Sequence, residues 1–271
     1  MDELLRITSR DNAKIKRAKS VREGSDPDLI FIEGFRLSEE ALRSLVGIRT
    51  AFISDAARAS ARGTEIVDRL LASGVDTNSV PDQLAATLSD TRTGQGIVLL
   101  ADRPADWTID DLNAGDSSLP LIVFLEKINN PANLGAVIRT AEAAGAAGVI
   151  LSANSADPHS PKALRASMGS AFRLKILQNT NLTDVLEWAG RAGLISTAAD
   201  ISATMPHTSM DWRTPRLLVM GSEAHGLHAD LLAKVDELTR VEMENGVESL
   251  NLAVACGIIL FEAKRQSAAD R

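Results

Sequence analysis

The sequence predicts an α/β protein of two domains, and three observations predict it. Short apolar runs alternate with helix-patterned segments in two separate series along the 271 residues. The runs of the second series are apolar throughout, as strands of a parallel sheet covered on both faces are. Between the two series lies ADRPADWTIDDLNAGDSSLP (101–120), whose Asp, Pro, Gly and Ser content reads as a connection. The expected division is a small α/β domain over 1–101, a linker over 102–118 and a larger domain over 119–271.

In the first series Ile15, Ala18 and Val21 recur at helical spacing in a basic N-terminal segment. LIFIE (29–33), TAFIS (50–54), VDTNSV (75–80) and GIVLL (96–100) read as strands. Residues 36–46, 62–72 and 81–88 read as the helices between them. In the second series LIVFLE (121–126), AGVILS (147–152), FRLKIL (172–177), GLISTA (193–198) and RLLVM (216–220) are strands. Residues 131–145, 161–168 and 182–192 are helices, and a last helix is expected from near Ser249. ENG (244–246) marks a turn before it.

Composition narrows the class. Hydrophobic residues make up 45% and charged residues 24%, as in an ordinary globular protein. The longest apolar run, Leu252 to Phe261, suits a buried helix and falls short of the ~18 residues of a membrane span. The N-terminus has no signal-type apolar stretch, and the lone Cys256 argues against disulfides and cysteine-based metal sites, so a cytoplasmic protein without membrane or metal is expected. The net charge is −7, yet residues 1–22 hold seven bases against three acids. A basic segment on an acidic body suits local phosphate contact, although a solvated amphipathic helix explains the same charges more simply.

Three segments of the second half carry more than scaffold. In NNPANLGAVIRTAEAAG (129–145), Leu134, Val137, Ile138 and Ala141 form an apolar helical face, and Pro131 suits the entry turn. Asn133 and Gly135 have ordinary readings as a cap and a packing concession. Arg139 stands in an alanine-rich helix, where pairing with Glu142 at i+3 is the simplest account. In RLLVMGSEAHGL (216–227) an apolar strand enters a polar loop, the place where ligands bind in open α/β sheets. Gly221 and Gly226 there would let backbone approach a ligand, Glu223 is a candidate carboxylate, and His225 reads as an exposed loop residue. In VEMENGVESLNLAVACGIILFEAKRQ (241–266), Ser249 suits a helix cap, whereas Asn251 falls inside the helix start and needs partners for a buried amide.

Taken together, in this order and spacing, the three segments resemble the three motifs of the SpoU (TrmH-like) branch of the SPOUT RNA methyltransferases. N-x-G-x-x-x-R appears as Asn133, Gly135 and Arg139, the second motif as MGSEAHGL with Gly221 and Glu223, and the third as ESLNLAVA with Ser249 and Asn251. The resemblance covers roughly 119 to 265. The N-terminal half is similar to the L30e-like substrate-binding domain that often precedes this catalytic domain, through SRDNAKIKRAKSV, FIEGFRLSEEAL (31–42) and TRTGQGIVLL (91–100).

The resemblance implies a C-terminal trefoil knot that binds S-adenosyl-L-methionine, a homodimer, and methylation of a ribose 2′-hydroxyl on RNA. Ribosomal RNA of the 23S type is the expected substrate, with transfer RNA the alternative. It implies Arg139 as the catalytic arginine, with Asn133, Glu223, Ser249 and Asn251 positioning it, the ribose and the cofactor. The cofactor would be held by knot loops near Thr197 and Ala198, at Gly221, around Val241 and Met243, and at Leu250. Glu242 stands where the family usually has proline, and Ala253 where it often has serine. No metal is implied. A nicotinamide dehydrogenase lacks its glycine-rich turn here, since no G-x-G-x-x-G occurs. A non-catalytic RNA-binding protein of the same fold is the remaining rival from another class, and the S-L-N motif favours the ribose branch over base methylation.

Overall fold

The computed structural model describes residues 4–44, 46–91, 94–112, 121–223 and 225–268. The chain forms two compact units, one of residues 1–105 with 159–173, the other of 106–158 with 174–271. Part of the expected linker, 113–118, and the first two residues of the expected larger domain lie outside the described residues.

The first unit holds β1 (Leu5–Arg6), α1 (Ala13–Arg22), β2 (Leu29–Glu33), α2 (Phe35–Arg43), β3 (Ile48–Ser54), α3 (Asp55–Ala59), α4 (Ala61–Ala72), β4 (Asp76–Val80), α5 (Asp82–Leu88) and β5 (Ile97–Asp102). Its five-stranded sheet runs β1-β4-β3-β5-β2; β5 lies antiparallel to both neighbours, and the other pairs are parallel. Ile15, Ala18 and Val21 of α1 are buried, as their spacing predicts, and join a core with Phe31, Phe52, Leu84 and Leu100. Asn12 caps α1 by accepting from Lys14 N–H at 2.9 Å, a contact that stabilises by about 1 kcal/mol.

The second unit carries β6 (Leu121–Leu125), α6 (Pro131–Ala144), β7 (Gly148–Ser152), β8 (Lys175–Thr180), α8 (Leu182–Arg191), β9 (Ile195–Ala199), β10 (Arg216–Met220), α9 (Ala229–Leu232), β11 (Glu237–Thr239) and α10 (Leu252–Ala268). All five pairings of its sheet, ordered β11-β9-β10-β6-β7-β8, are parallel, as the continuous apolar runs predict. Helix α7 (Pro161–Ser167) belongs spatially to the first unit, where it packs on β2. A buried guanidinium pins one end of the parallel sheet. Arg216 donates to Thr197 Oγ1 at 2.6 Å and Glu237 Oε2 at 2.5 Å, and stacks over Trp212.

Two expectations are corrected. The strand expected at 172–177 lies at 175–180, because Met168 and Gly169 take left-handed backbone (φ +52° and +92°) and residues 170–172 form a 3₁₀ turn. The last helix begins at Leu252, not near Ser249, and its cap is Asn251.

Candidate active site

Because the strands of the second unit run one way, their carboxyl ends share an edge. The register aligns Leu125, Met220 and Ala199, with Thr239 beside Ala199. The segments leaving these ends carry all three sequence constellations, at the edge where ligands bind in such sheets. Backbone ties hold them together: Glu126 N–H donates to Met220 C=O at 3.0 Å, and Lys127 N–H to Ser152 Oγ at 2.7 Å.

The loop after β10 is pinched shut. Ser222 and Gly226 exchange two backbone hydrogen bonds of 2.9 Å. A Cβ on Gly221 would lie 2.3 Å from the Gly226 carbonyl carbon and 2.5 Å from Leu227 N, so only glycine fits there. This closure presents Glu223 to solvent beside the start of α6, and His225 is exposed as expected.

Asn133, Glu223 and Asn251 meet, although 118 residues separate the outer pair in sequence. Two backbone N–H groups of α10, from Ala253 (3.0 Å) and Val254 (3.4 Å), donate to Asn251 Oδ1. That contact fixes the amide, so Asn251 Nδ2 donates to Asn133 Oδ1 at 3.2 Å. Asn133 Nδ2 in turn donates to the Glu223 carboxylate. The result is a directional chain from a helix N-terminus through two amides to an anion. It corrects two expectations about Asn251: it is exposed rather than buried, and capping is one of its two jobs. The cap of α6 is Asn130, which accepts from Ala132 N–H at 2.9 Å and leaves Asn133 free for this chain.

Arg139 lies on the exposed side of α6. The expected pairing with Glu142 does not form, and the guanidinium makes no ion pair or hydrogen bond among the described residues. Ser249 is exposed in the loop before α10 and likewise makes no side-chain hydrogen bond among the described residues. Leu250 is exposed in the same loop, and Val241 and Met243 are half-buried. Asn245 and Gly246 take consecutive positive φ angles (58° and 73°), the turn that ENG predicts. Among the described residues one backbone hydrogen bond forms within 241–250, Val247 N–H to Glu244 C=O at 3.3 Å. Free peptide groups beside exposed Val247 and Leu250 suit a flat, partly apolar ligand with hydrogen-bonding edges, such as a purine. Thr197 and Ala198 lie inside β9, fully buried, rather than in a loop. Arg216 already occupies the Thr197 hydroxyl, so any ligand contact at this strand falls at its end.

Sequence reasoning missed Glu126, a buried carboxylate at the end of β6 whose ion pair is with Lys127 at 3.5 Å. The signal was an acid closing an apolar strand. Burial pushes the Cys256 thiol up to about 12, which keeps it protonated and a poor nucleophile. Among the described residues no group of three or more His, Cys, Asp or Glu is placed to hold a metal ion, and no helix is long and apolar enough to cross a membrane.

Residues 120–261 match the SpoU rRNA methylase family, and residues 31–107 match the family described as RNA 2′-O ribose methyltransferase substrate binding. An uncharacterized tRNA/rRNA methyltransferase of Synechocystis is 31% identical over 96% of this chain and 93% of its own length. Among solved structures, an AdoMet-bound rRNA methyltransferase from Sinorhizobium meliloti is 28% identical at a TM-score of 0.82, covering 97% of this chain and 98% of that one. The SpoU methyltransferase AviRb from Streptomyces viridochromogenes, in complex with AdoMet, is 25% identical at a TM-score of 0.81, covering 96% and 100%.

Proposed function

This chain belongs to the SpoU methylase family, and from that premise we propose that it transfers a methyl group from S-adenosyl-L-methionine to a ribose 2′-hydroxyl of ribosomal RNA. The observation that carries the reading is the chain Asn251–Asn133–Glu223, which joins the three motifs at one sheet edge. An N-terminal match to a substrate-binding family supports RNA as the substrate and the first unit as its reader.

The cofactor supplies an electrophilic methyl group. The residues must hold a 2′-hydroxyl in line with it and ease loss of the hydroxyl proton. Arg139, always protonated and without a partner among the described residues, suits a bidentate grip on the neighbouring phosphate and stabilises a developing alkoxide. The phosphate then accepts the proton. Asn133 and Glu223 orient the ribose, Ser249 contributes a hydroxyl beside them, and the 241–250 loop with Gly221 and Leu250 cradles the cofactor. The loops around that cradle form the trefoil knot in this reading.

Among the described residues no hydrogen bond joins Arg139 to the Asn133 chain, and in this reading a second subunit completes the site. Helix α10 supplies a surface for that subunit. Val254, Ile258 and Phe261, one stripe at i, i+4 and i+7, are 51%, 36% and 49% exposed. A homodimer working in the cytoplasm, where ribosomal RNA is modified, completes the proposal.

The test is incubation with tritiated S-adenosyl-L-methionine and separate ribosomal and transfer RNA pools, then digestion to nucleosides. A labelled 2′-O-methylnucleoside from the ribosomal pool is the expected result. Label in the transfer RNA pool alone would move the substrate, a reading favoured by the double name of the Synechocystis relative. No label in either pool, with cofactor bound, would make this a non-catalytic RNA-binding member. Light scattering at micromolar concentration is expected to report a dimer.

A further inference from the structure

Two adjoining cavities open on the first unit, away from every residue assigned so far. One encloses about 470 Å³ and is lined mainly by small side chains, among them Ser54, Ala57, Ala86 and Gly96, with Phe35 as its aromatic wall. The other encloses about 370 Å³ between Glu33, Arg36, Leu37, Arg165 and Met168. Thr91 and Gln95 line both, so the two are compartments of one cleft. Each has the volume of a small-ligand site, ~300–1,000 Å³.

The arginine compartment contains an unmet hydrogen-bonding demand. Arg165 Nη2 donates to Asp90 Oδ2 at 2.7 Å, but its Nη1 is buried and has no hydrogen-bond partner. The nearest acid oxygen, Glu33 Oε2, is 3.9 Å away. Glu33 does not turn toward it because its oxygens accept from the Ser89 hydroxyl, from Thr91 Oγ1 at 3.0 Å and from Asp90 N–H at 3.0 Å. A buried guanidinium N–H left without an acceptor is costly, and a turn of the Arg165 side chain, which is 30% exposed, brings it to an arriving anion that removes that cost. Arg36 lines the same compartment and is 55% exposed, with Glu40 at 3.1 Å. Two guanidinium groups at one cavity suit a phosphate, and the Glu33 carboxylate that also lines it is engaged by the donors of Ser89, Asp90 and Thr91.

The other compartment is shaped for a ring. The backbone N–H of Phe35 donates to Gln95 Oε1 at 2.8 Å, and the Arg62 guanidinium lies 5.3 Å from the ring centroid. Arg62 is itself held by Glu39 through bonds of 2.6 and 2.8 Å. The aromatic wall is thus fixed at both backbone and ring in a chain with only six Phe, three Trp and no Tyr. Gly34 keeps the junction open: its φ is +91°, and a Cβ there would stand 2.8 Å from Gln95 Oε1.

We propose that this cleft binds one unpaired ribonucleotide of the RNA substrate, with its phosphate at Arg165 and its base against Phe35. The proposal rests on the reading that the substrate is RNA, and it adds that the first unit reads an unstacked residue rather than a duplex. Arg165 lies within the residues that match the methylase family, yet it sits in the cleft of the first unit.

The test uses the full chain and a fluorescein-labelled pool of random-sequence 12-nucleotide RNA, read by anisotropy. Arg165→Ala and Ala86→Leu are each expected to weaken binding tenfold or more. Ala86 is exposed on α5, so the leucine fills the cavity without entering the core. Thermal unfolding of the full chain that matches the parent's, read by circular dichroism, establishes that both variants are folded. The same RNA annealed to its complement is expected to compete at least tenfold less well, and millimolar mononucleotides not at all. Unchanged affinity in Ala86→Leu overturns the proposal even if Arg165→Ala binds poorly, because the arginine then acts through the fold. Equal competition by mononucleotides overturns it in favour of a free-nucleotide site. If the parent methylates RNA while both variants bind normally, the cleft is wrong and the methyltransferase stands. If the parent methylates nothing while both variants lose RNA, the cleft stands and the catalytic reading falls.

Discussion

Helices α1 and α6 place positive charge in opposite ways. Helix α1 is crowded with bases, and the fold answers several of them. Lys14 meets Asp76 at 2.7 Å, Lys16 meets Asp11 at 3.1 Å and Arg17 meets Asp26 at 3.3 Å. Arg22 donates to the carbonyls of Thr87, Leu88 and Ser89, each at 3.1 Å, tying α1 to the end of α5. Helix α6 has one base, Arg139, and nothing among the described residues answers it. If Arg139 acts as proposed, charge density along the sequence points to the wrong helix. In the proposed reading a site is marked by a charge or donor that the fold holds in place and leaves unmet; the charge of Arg165 is met by Asp90, yet its Nη1 has no acceptor.

The largest effect expected from that contrast is at Arg139. Arg139→Ala should lower the methyl-transfer rate by about 10²–10³, the usual loss for one preorganised charge-stabilising donor. Cofactor affinity, measured by calorimetry, should stay within twofold, and its loss would mean that the arginine holds the cofactor instead. Arg139→Lys should recover little, because an ammonium cannot grip a phosphate bidentately. Next comes Asn133→Ala, which removes the donor to Glu223 and leaves Asn251 Nδ2 without its acceptor. A hydrogen bond to a charged group is worth ~1.5–3 kcal/mol, so a loss of roughly 10- to 100-fold in kcat is expected with the fold intact. An unchanged kcat would reduce the chain to a structural tie.

Much of this was legible in the sequence where the signal is local and periodic. RLLVM (216–220) is the strand β10 residue for residue, and residues 131–145 form α6 with Gly145 as its left-handed stop at φ +88°. Ile15, Ala18 and Val21 are all buried. Legibility fails where backbone chirality overrides hydropathy. Phe172 looks like the start of a strand, but the chain is still turning after Met168 and Gly169. It fails again at short elements such as β1, α3, α9 and β11, which span too few residues to show a period. Asn133, Glu223 and Asn251 could be named as candidates through the motifs, but neither the direction of their hydrogen bonds nor the freedom of Arg139 is a property of spacing. The cleft at Arg165 and Gln95 was out of reach for a different reason. Its walls come from residues 33 to 168, and only the fold brings them together.

Asn251 gives a smaller effect and a cleaner separation, because its two functions use different atoms. The Oδ1 caps α10 and the Nδ2 feeds Asn133. Asn251→Ala should cost about 1 kcal/mol of stability through the lost cap and slow methyl transfer as well. Asn251→Asp keeps a capping oxygen and removes the donor, so thermal stability should remain near the parent value while activity falls as far as in Asn251→Ala. If activity instead follows stability across the two variants, capping is the whole of its role.

The smallest effects should come from α1, and they are the sharpest test of the contrast. Lys16→Ala and Arg17→Ala each break a pair in which the base is about three-fifths exposed, at 63% and 59%. Exposed pairs contribute ~0–1 kcal/mol, so each variant should unfold in urea within 1 kcal/mol of the parent. If α1 bound phosphate as its composition suggests, removing Lys16 and Arg17 together would weaken RNA binding and lower the slope of log affinity against log salt by about 2. With Arg17 committed to Asp26 and Lys16 to Asp11, the expected change is less than twofold in affinity with the salt slope unaltered. A slope that falls by two would show that these acids yield their partners to RNA, and that α1 belongs with Arg139 and Arg165 after all.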